Sequence, residues 1–175
     1  MLKDFLIQKS SKFNLEVLKK EKMLSLRNKG QVILFPLKEL LEFKNSKLSI
    51  KKKVIANKAL YYTYNVLFSQ AFLGLDVGYR KQLKIAGIGY SCEYNSGSHS
   101  LVFKLGLSHV VNFLLDKHIE AICPKSRLIV LKSFDKKVLH NCVQNIQKLR
   151  KPNSYKELGI YQSGVVYPTK VGKKT

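Results

Sequence analysis

The sequence predicts an α+β protein of two tandem similar domains, each a small antiparallel sheet packed on one helix. Three observations lead there: an internal repeat at a spacing of about 80 residues, short β-branched and aromatic segments in each half, and one amphipathic stretch closing each half.

Self-similarity at a fixed period reports architecture before any single element does. Lys47-Leu-Ser-Ile-Lys-Lys-Lys53 has its counterpart in Arg127-Leu-Ile-Val-Leu-Lys-Ser133. Ala59, Leu60, Tyr64 and Leu67 correspond to Val138, Leu139, Val143 and Ile146, and Val32-Ile-Leu-Phe35 to Val110-Val-Asn-Phe113. Order and spacing agree across three separate segments, which implies tandem duplication, with domains at 1–80 and 81–175.

In the first half, Met23–Leu26, Val32–Phe35 and Lys47–Ile50 have the composition of strands bounded by turn residues. A helix follows over Ala59–Leu73. Leu60, Tyr64, Leu67, Phe68 and Ala71 recur at three- and four-residue intervals on one face, and Asn57 is suited to cap the first turn. In the second half, strands are predicted near Leu83–Tyr94, Ser100–Leu105, Val110–Leu114 and Leu128–Leu131. Its helix runs from Lys136 to Leu149 with Val138, Cys142, Ile146 and Leu149 inward. Asp135 suits its positive N-terminal end, and Pro152 stops it. Each half, under about 100 residues, buries a modest core and gains stability from a bound partner.

The charge says what kind of partner. The chain of 175 residues carries 32 Lys+Arg against 11 Asp+Glu, a formal net charge of +21. Such a particle repels itself unless a polyanion neutralises it. A hydrophobic content of 45% excludes general disorder. No apolar run approaches the ~18 residues of a membrane span; Leu101 to Leu115 is interrupted by Lys104, Ser108, His109 and Asn112.

Cys92, Cys123 and Cys142 form no C-x-x-C and leave one over, which fits a reducing compartment rather than a disulfide framework. Only four basic residues are arginine (Arg27, Arg80, Arg127, Arg150). Lysine is no better a ligand for phosphate, so the ratio points to an AT-rich genome, organellar or bacterial. Met1 to Phe13 has no secretory apolar core and, with Asp4 and no arginine, makes a poor transit peptide; a protein made inside an organelle would need none.

The catalytic and metal-binding readings are weak. His140 and Cys142 are two positions apart, but Cys142 falls on the inward helix face, where a small apolar residue is wanted. Zinc-type spacings are missing. Gly87-Ile-Gly89 opens like a dinucleotide fingerprint, yet Cys92 stands where its third glycine would be, so a bulge or close backbone approach in a strand is expected. No catalytic residue, metal, cofactor or small-molecule substrate is therefore expected. The segment after the second helix differs. From Lys148 onward seven basic residues meet one acid, Glu157. Lys and Arg can neutralise phosphates, Tyr155 and Tyr161 offer flat faces, and Gly159 and Gly164 allow close approach. A solvated, frayed terminus is the alternative.

Gly87-Ile-Gly-Tyr-Ser91, Leu101-Val-Phe-Lys-Leu-Gly-Leu-Ser-His109, Asp135-Lys-Lys137 and Arg150-Lys-Pro-Asn-Ser-Tyr-Lys156 with Gly159-Ile160 resemble the universal large-subunit ribosomal protein of the sixth family. The resemblance runs from about Phe13 to the end, strongest in the second half; Asn28-Lys-Gly30 and Ala59-Leu60 are the main anchors in the first. It implies two tandem sheet-plus-helix domains and a non-enzymatic role. The protein would bind large-subunit ribosomal RNA beside the factor-binding region and the sarcin–ricin loop, chiefly through its second domain, among neighbouring large-subunit proteins. Carried over by position, the RNA-binding residues are Gly106, Ser108 and His109 in a strand-connecting loop, Arg150, Lys151, Tyr155, Lys156 and Gly159 after the helix, and Lys170, Lys173 and Lys174 at the end. Glu157 and Leu158 depart from the family's usual Gly and Lys, and Pro168-Thr169 from its arginines, which removes charge from the contact region. A mitochondrial ribosome is the expected location, with plastid and bacterial cytoplasm as alternatives. The rival function is a free-standing RNA-binding or RNA-folding protein.

Overall fold

A computed structural model of the chain describes residues 14–18, 23–28, 31–36, 41–44, 47–50 and 58–172. It is an α+β structure with antiparallel sheets and two helices. The chain divides into two compact units, Met1–Gly78 and Tyr79–Thr175.

In the first unit, β1 (Asn14–Leu18), β2 (Met23–Asn28) and β3 (Gln31–Pro36) form an antiparallel meander in which Leu26 pairs with Leu15 on one side and Ile33 on the other. β4 (Leu41–Lys44) and β5 (Lys47–Ile50) form a hairpin, and helix α1 (Lys58–Asp76) follows. β1 and β4 are too short and too interrupted by charge to be expected from composition. On α1 the buried stripe is Phe68, Ala71, Phe72 and Leu75, while Leu67 is 42% exposed, which corrects its expected inward position. Val66 and Leu73 are exposed as well. The helix is apolar on several sides, so periodicity alone does not select the buried one. Asn57 and the side chains of Leu60 and Tyr64 lie outside the described residues.

In the second unit the chain runs β6 (Tyr79–Ala86), β7 (Ser91–Asn95), β8 (Ser100–Lys104), β9 (Val111–Leu114), β10 (Glu120–Lys125), β11 (Leu128–Ser133), α2 (Lys136–Leu149) and β12 (Gly159–Gln162). These strands make two sheets, where one was expected: a four-stranded sheet in the order β10-β11-β6-β12 and the meander β7-β8-β9. The segment Leu83–Tyr94 is accordingly two strands. Gly87 at φ +153° and Gly89 at φ +72° turn the chain between them, so the pair serves a turn with a close approach to Tyr90 rather than a bulge. β10, with Pro124 near its end, and the four-residue β12 were not expected. Both units thus contain a three-stranded meander, a hairpin (β4–β5, β10–β11) and a helix, in that order.

Helix α2 lies on β11, β6 and β12. Alternation along β6 and β11 turns Leu83, Ile85, Ile129 and Leu131 toward it, and Leu101 and Phe103 of the meander complete the core. Fully burying each of these side chains contributes about 1.5–3 kcal/mol. The helix presents Leu139, Cys142, Val143 and Ile146; Val138 and Leu149, expected inward, are half-buried. A sheet under the helix covers a wide stripe, which centres the face between the two rows. Asp135 caps the helix, its carboxylate accepting from the Lys137 N–H at 2.8 Å. Among the described residues no helix is long and apolar enough to cross a membrane.

Candidate nucleic-acid interface

Helix α2 ends at Arg150, whose backbone is extended and whose carbonyl accepts from the Ile160 N–H at 3.0 Å. Between these two residues the chain makes a compact turn. The Asn153 side-chain oxygen accepts from the N–H groups of Tyr155 (2.8 Å) and Lys156 (3.3 Å), and the Asn153 N–H donates to the Leu158 carbonyl at 2.9 Å. An Asx turn of this kind fixes the backbone at little entropic cost. Lys151, Tyr155 and Lys156 are exposed on it.

Strand β12 then returns along β6, Gly159 opposite Ala86 and Tyr161 opposite Lys84. Beyond it, the Tyr167 hydroxyl accepts from Gln147 Nε2 of α2 at 2.9 Å and from the Gln162 N–H at 3.2 Å. The Lys170 N–H donates to the Ser154 carbonyl at 2.9 Å. The segment as far as Lys170 is therefore folded back onto the turn.

A cleft lined by Lys84, Asn153, Ser154, Tyr161, Tyr167 and Thr169, among others, lies between turn and tail. Tyr161, expected to offer a flat face, is instead half-buried, edge-on to Tyr167 at 5.1 Å, with its hydroxyl donating to the Asn153 carbonyl. Burial, and next the Glu157 carboxylate, raise its phenol above the ordinary range. Tyr155, 63% exposed, keeps its ring free for stacking.

Gly106, Ser108 and His109 occupy the exposed loop between β8 and β9. Gly106 has φ +66°, and a β-carbon there would stand 2.8 Å from the Tyr90 ring. That ring also lies against Gly87. Since Ala86 pairs with Gly159, the β6–β7 turn connects this loop to the segment after α2. The structure thus brings Arg150, Lys151, Tyr155, Lys156 and Lys170 into one patch, linked through the turn to the Gly106, Ser108 and His109 loop; Gly159, expected to touch RNA, is instead buried against the Lys151 main chain, where it lets β12 pack under the turn. Lys173 and Lys174 lie outside the described residues.

Two contributions escaped sequence reasoning. Lys84, exposed on β6, lines the cleft and also a second groove with Lys125 and Arg127. The alternation of Arg80, Gln82 and Lys84 with Leu83 and Ile85 is the signal that would have found it. Asn153, which orients the turn, stands inside the Arg150-to-Lys156 motif, but the sequence reading assigns it no role of its own.

Of the residues weighed for catalysis, Cys142 is buried against the sheet, and burial, with the Asp116 carboxylate second, pushes its thiol up to about 12. His140 is exposed. His99 is tied into the fold through Tyr94 (2.9 Å) and the Asp116 carbonyl (3.2 Å). Among the described residues no group of three His, Cys, Asp or Glu side chains could hold a metal ion.

No family model matches the chain. Among curated proteins it is similar to the large ribosomal subunit protein uL6m of Reclinomonas americana, 33% identical over 124 residues, covering 71% of this chain and 66% of that protein. The large ribosomal subunit protein uL6 of Actinobacillus succinogenes is 36% identical over 112 residues, 64% of this chain and 62% of the relative. That of Malacoplasma penetrans is 32% identical over 142 residues, 75% of this chain and 76% of the relative. The chain thus spans less than two thirds of the length of the first two of these relatives.

Proposed function

Because the chain belongs to the uL6 family of large ribosomal subunit proteins, we propose that it is a structural constituent of the large ribosomal subunit and no enzyme. In this reading the second unit binds large-subunit ribosomal RNA near the factor-binding region, beside neighbouring large-subunit proteins. The observation that carries it is the folded-back segment after α2, which holds Lys151, Tyr155 and Lys156 exposed on a hydrogen-bonded turn. Cations on a preformed turn bind phosphates without the ordering cost a frayed tail would meet. Duplex RNA hides its base edges in a deep groove, so recognition rests on shape and phosphate charge.

The two units are tandem domains that arose by duplication, meeting close to the 80/81 boundary. Their shared succession of meander, hairpin and helix, in register with the sequence repeat, supports this. The ribosome in question is mitochondrial, on the lysine-heavy composition and the similarity to a uL6m, with plastid and bacterial ribosomes as alternatives. Lys173 and Lys174 extend the basic patch.

Sedimentation of an extract tests the reading. The protein should travel with large subunits after a high-salt wash, and crosslinks from the last thirty residues should map to large-subunit RNA. Release into the soluble fraction would instead favour a free-standing RNA-binding protein.

A further inference from the structure

Cys92 and Cys123 are 31 positions apart in the sequence and lie on edge strands of different sheets, β7 and β10. These edges meet: β7 packs against β10, and the Cys92 N–H donates to the Ser126 carbonyl, at the β10–β11 turn, at 2.7 Å. Alternation along β10 puts Cys123 on the same face as buried Ala121, toward the core that already holds Cys92. The Cys92 S–H reaches the Glu93 carbonyl at 3.9 Å, and each of the two thiols shifts the titration of the other. Cys92 is 1% exposed and Cys123 half-buried, and both line a groove open at Glu93, Ile122 and Lys125.

We propose that Cys92 and Cys123 are an oxidisable pair, with Cys123 as the residue attacked from solvent by a peroxide and Cys92 as the resolving thiol that closes a disulfide across the seam of the two sheets. The roles follow first from exposure, since Cys92 is buried and Cys123 is the half-buried one of the two. Cys92 beside it lowers the Cys123 thiol from its ordinary range, against the opposing effect of burial. Cys123 and then burial raise the Cys92 thiol. Thiolate character and access favour first oxidation at Cys123.

In the first step the Cys123 thiolate attacks one peroxide oxygen. The O–O bond breaks, hydroxide leaves and is protonated to water, and Cys123 becomes a sulfenic acid. In the second step Cys92 gives up its proton and attacks the Cys123 sulfur; the S–O bond breaks, water leaves and the disulfide forms. Two thiols and one hydrogen peroxide yield one disulfide and two waters. Both thiols line the same groove, and the disulfide brings the two sulfur atoms to about 2 Å. Cys142, buried on α2, is the internal control.

The test is to treat the reduced full-length protein with hydrogen peroxide, block free thiols by alkylation, and map its peptides by mass spectrometry. The expected product is a Cys92–Cys123 cross-linked peptide pair, reversed by dithiothreitol, with Cys142 alkylated. Cys92→Ser should leave Cys123 as a sulfenic acid trapped by dimedone, and Cys123→Ser should abolish both signals. Wild-type protein that accumulates sulfinic acid at Cys123 with Cys92 still alkylatable, or that cross-links through Cys142, overturns the proposal. The wild-type map decides the matter even if a serine variant fails to fold.

Discussion

Gly159 sits so close to the main chain of Lys151 that a β-carbon on it would stand 2.6 Å from the Lys151 carbonyl oxygen. The obstacle is backbone, and the φ of +131° is one that L side chains rarely adopt. This close approach lets β12 begin directly beneath the first residues of the basic turn. Gly159→Ala should therefore destabilise the second unit by about 2–4 kcal/mol, from strain and overpacking together. A urea titration followed by circular dichroism measures it; a loss below ~0.5 kcal/mol would mean the segment shifts freely.

The cations on the turn should act as phosphate neutralisers. If roughly 6–8 phosphates are engaged, log affinity for large-subunit RNA fragments falls against log salt with a slope of roughly −5 to −7. Lys151→Gln and Lys156→Gln should each reduce that slope by about one and weaken binding across RNA sequences alike. Filter binding over a salt series reads both quantities. A slope near zero, or a loss confined to one sequence, contradicts phosphate recognition.

Glu157 has φ +50°, a left-handed conformation that costs a non-glycine residue about 1–2 kcal/mol. Glu157→Gly removes that strain and adds about 0.5–1 kcal/mol of unfolded-state entropy, leaving a net gain of about 0.5 kcal/mol. It also deletes the one acidic side chain of the tail. Both the denaturation midpoint and RNA affinity should rise, whereas Glu157→Gln should raise affinity alone.

Asp135 holds the start of α2 through its bond to the Lys137 N–H. Asp135→Ala should cost about 1 kcal/mol, and Asp135→Asn much less, because an amide oxygen still accepts from the free N–H. Thermal unfolding of the two variants side by side distinguishes capping from simple charge removal.

The raised Cys142 thiol makes stability pH-dependent. Its folded pKa of about 12 lies above the ordinary 9.0, so the buried neutral form contributes stability that is present below about pH 9 and lost as pH rises toward 12. The contribution falls by up to about 1.4 kcal/mol per pH unit in that window. Urea midpoints of wild type and Cys142→Ala should run parallel below pH 9 and converge above it. Curves that stay parallel to pH 11 would place the thiol in water.

The sequence alone was enough to establish an α+β protein with antiparallel strands, the limits of α2 with a favourable carboxylate at Asp135 before it, and the basic segment that follows. Those features are local: period-2 and period-3.6 patterns, a carboxylate before the first turn, and a proline after the last are visible within a few neighbouring residues. Tertiary structure decided the rest. Whether Leu67 or Phe72 of α1 is buried depends on which side meets the remaining chain, because that helix is apolar on several sides. Tyr161 passes from candidate stacking face to structural ring because Tyr167 and Asn153 reach it. Lys84 joins the basic cleft, and Cys92 meets Cys123, through strand pairings between residues tens of positions apart. Such contacts leave no periodic trace in the chain; they exist only once burial of the common core has drawn the two sheets together.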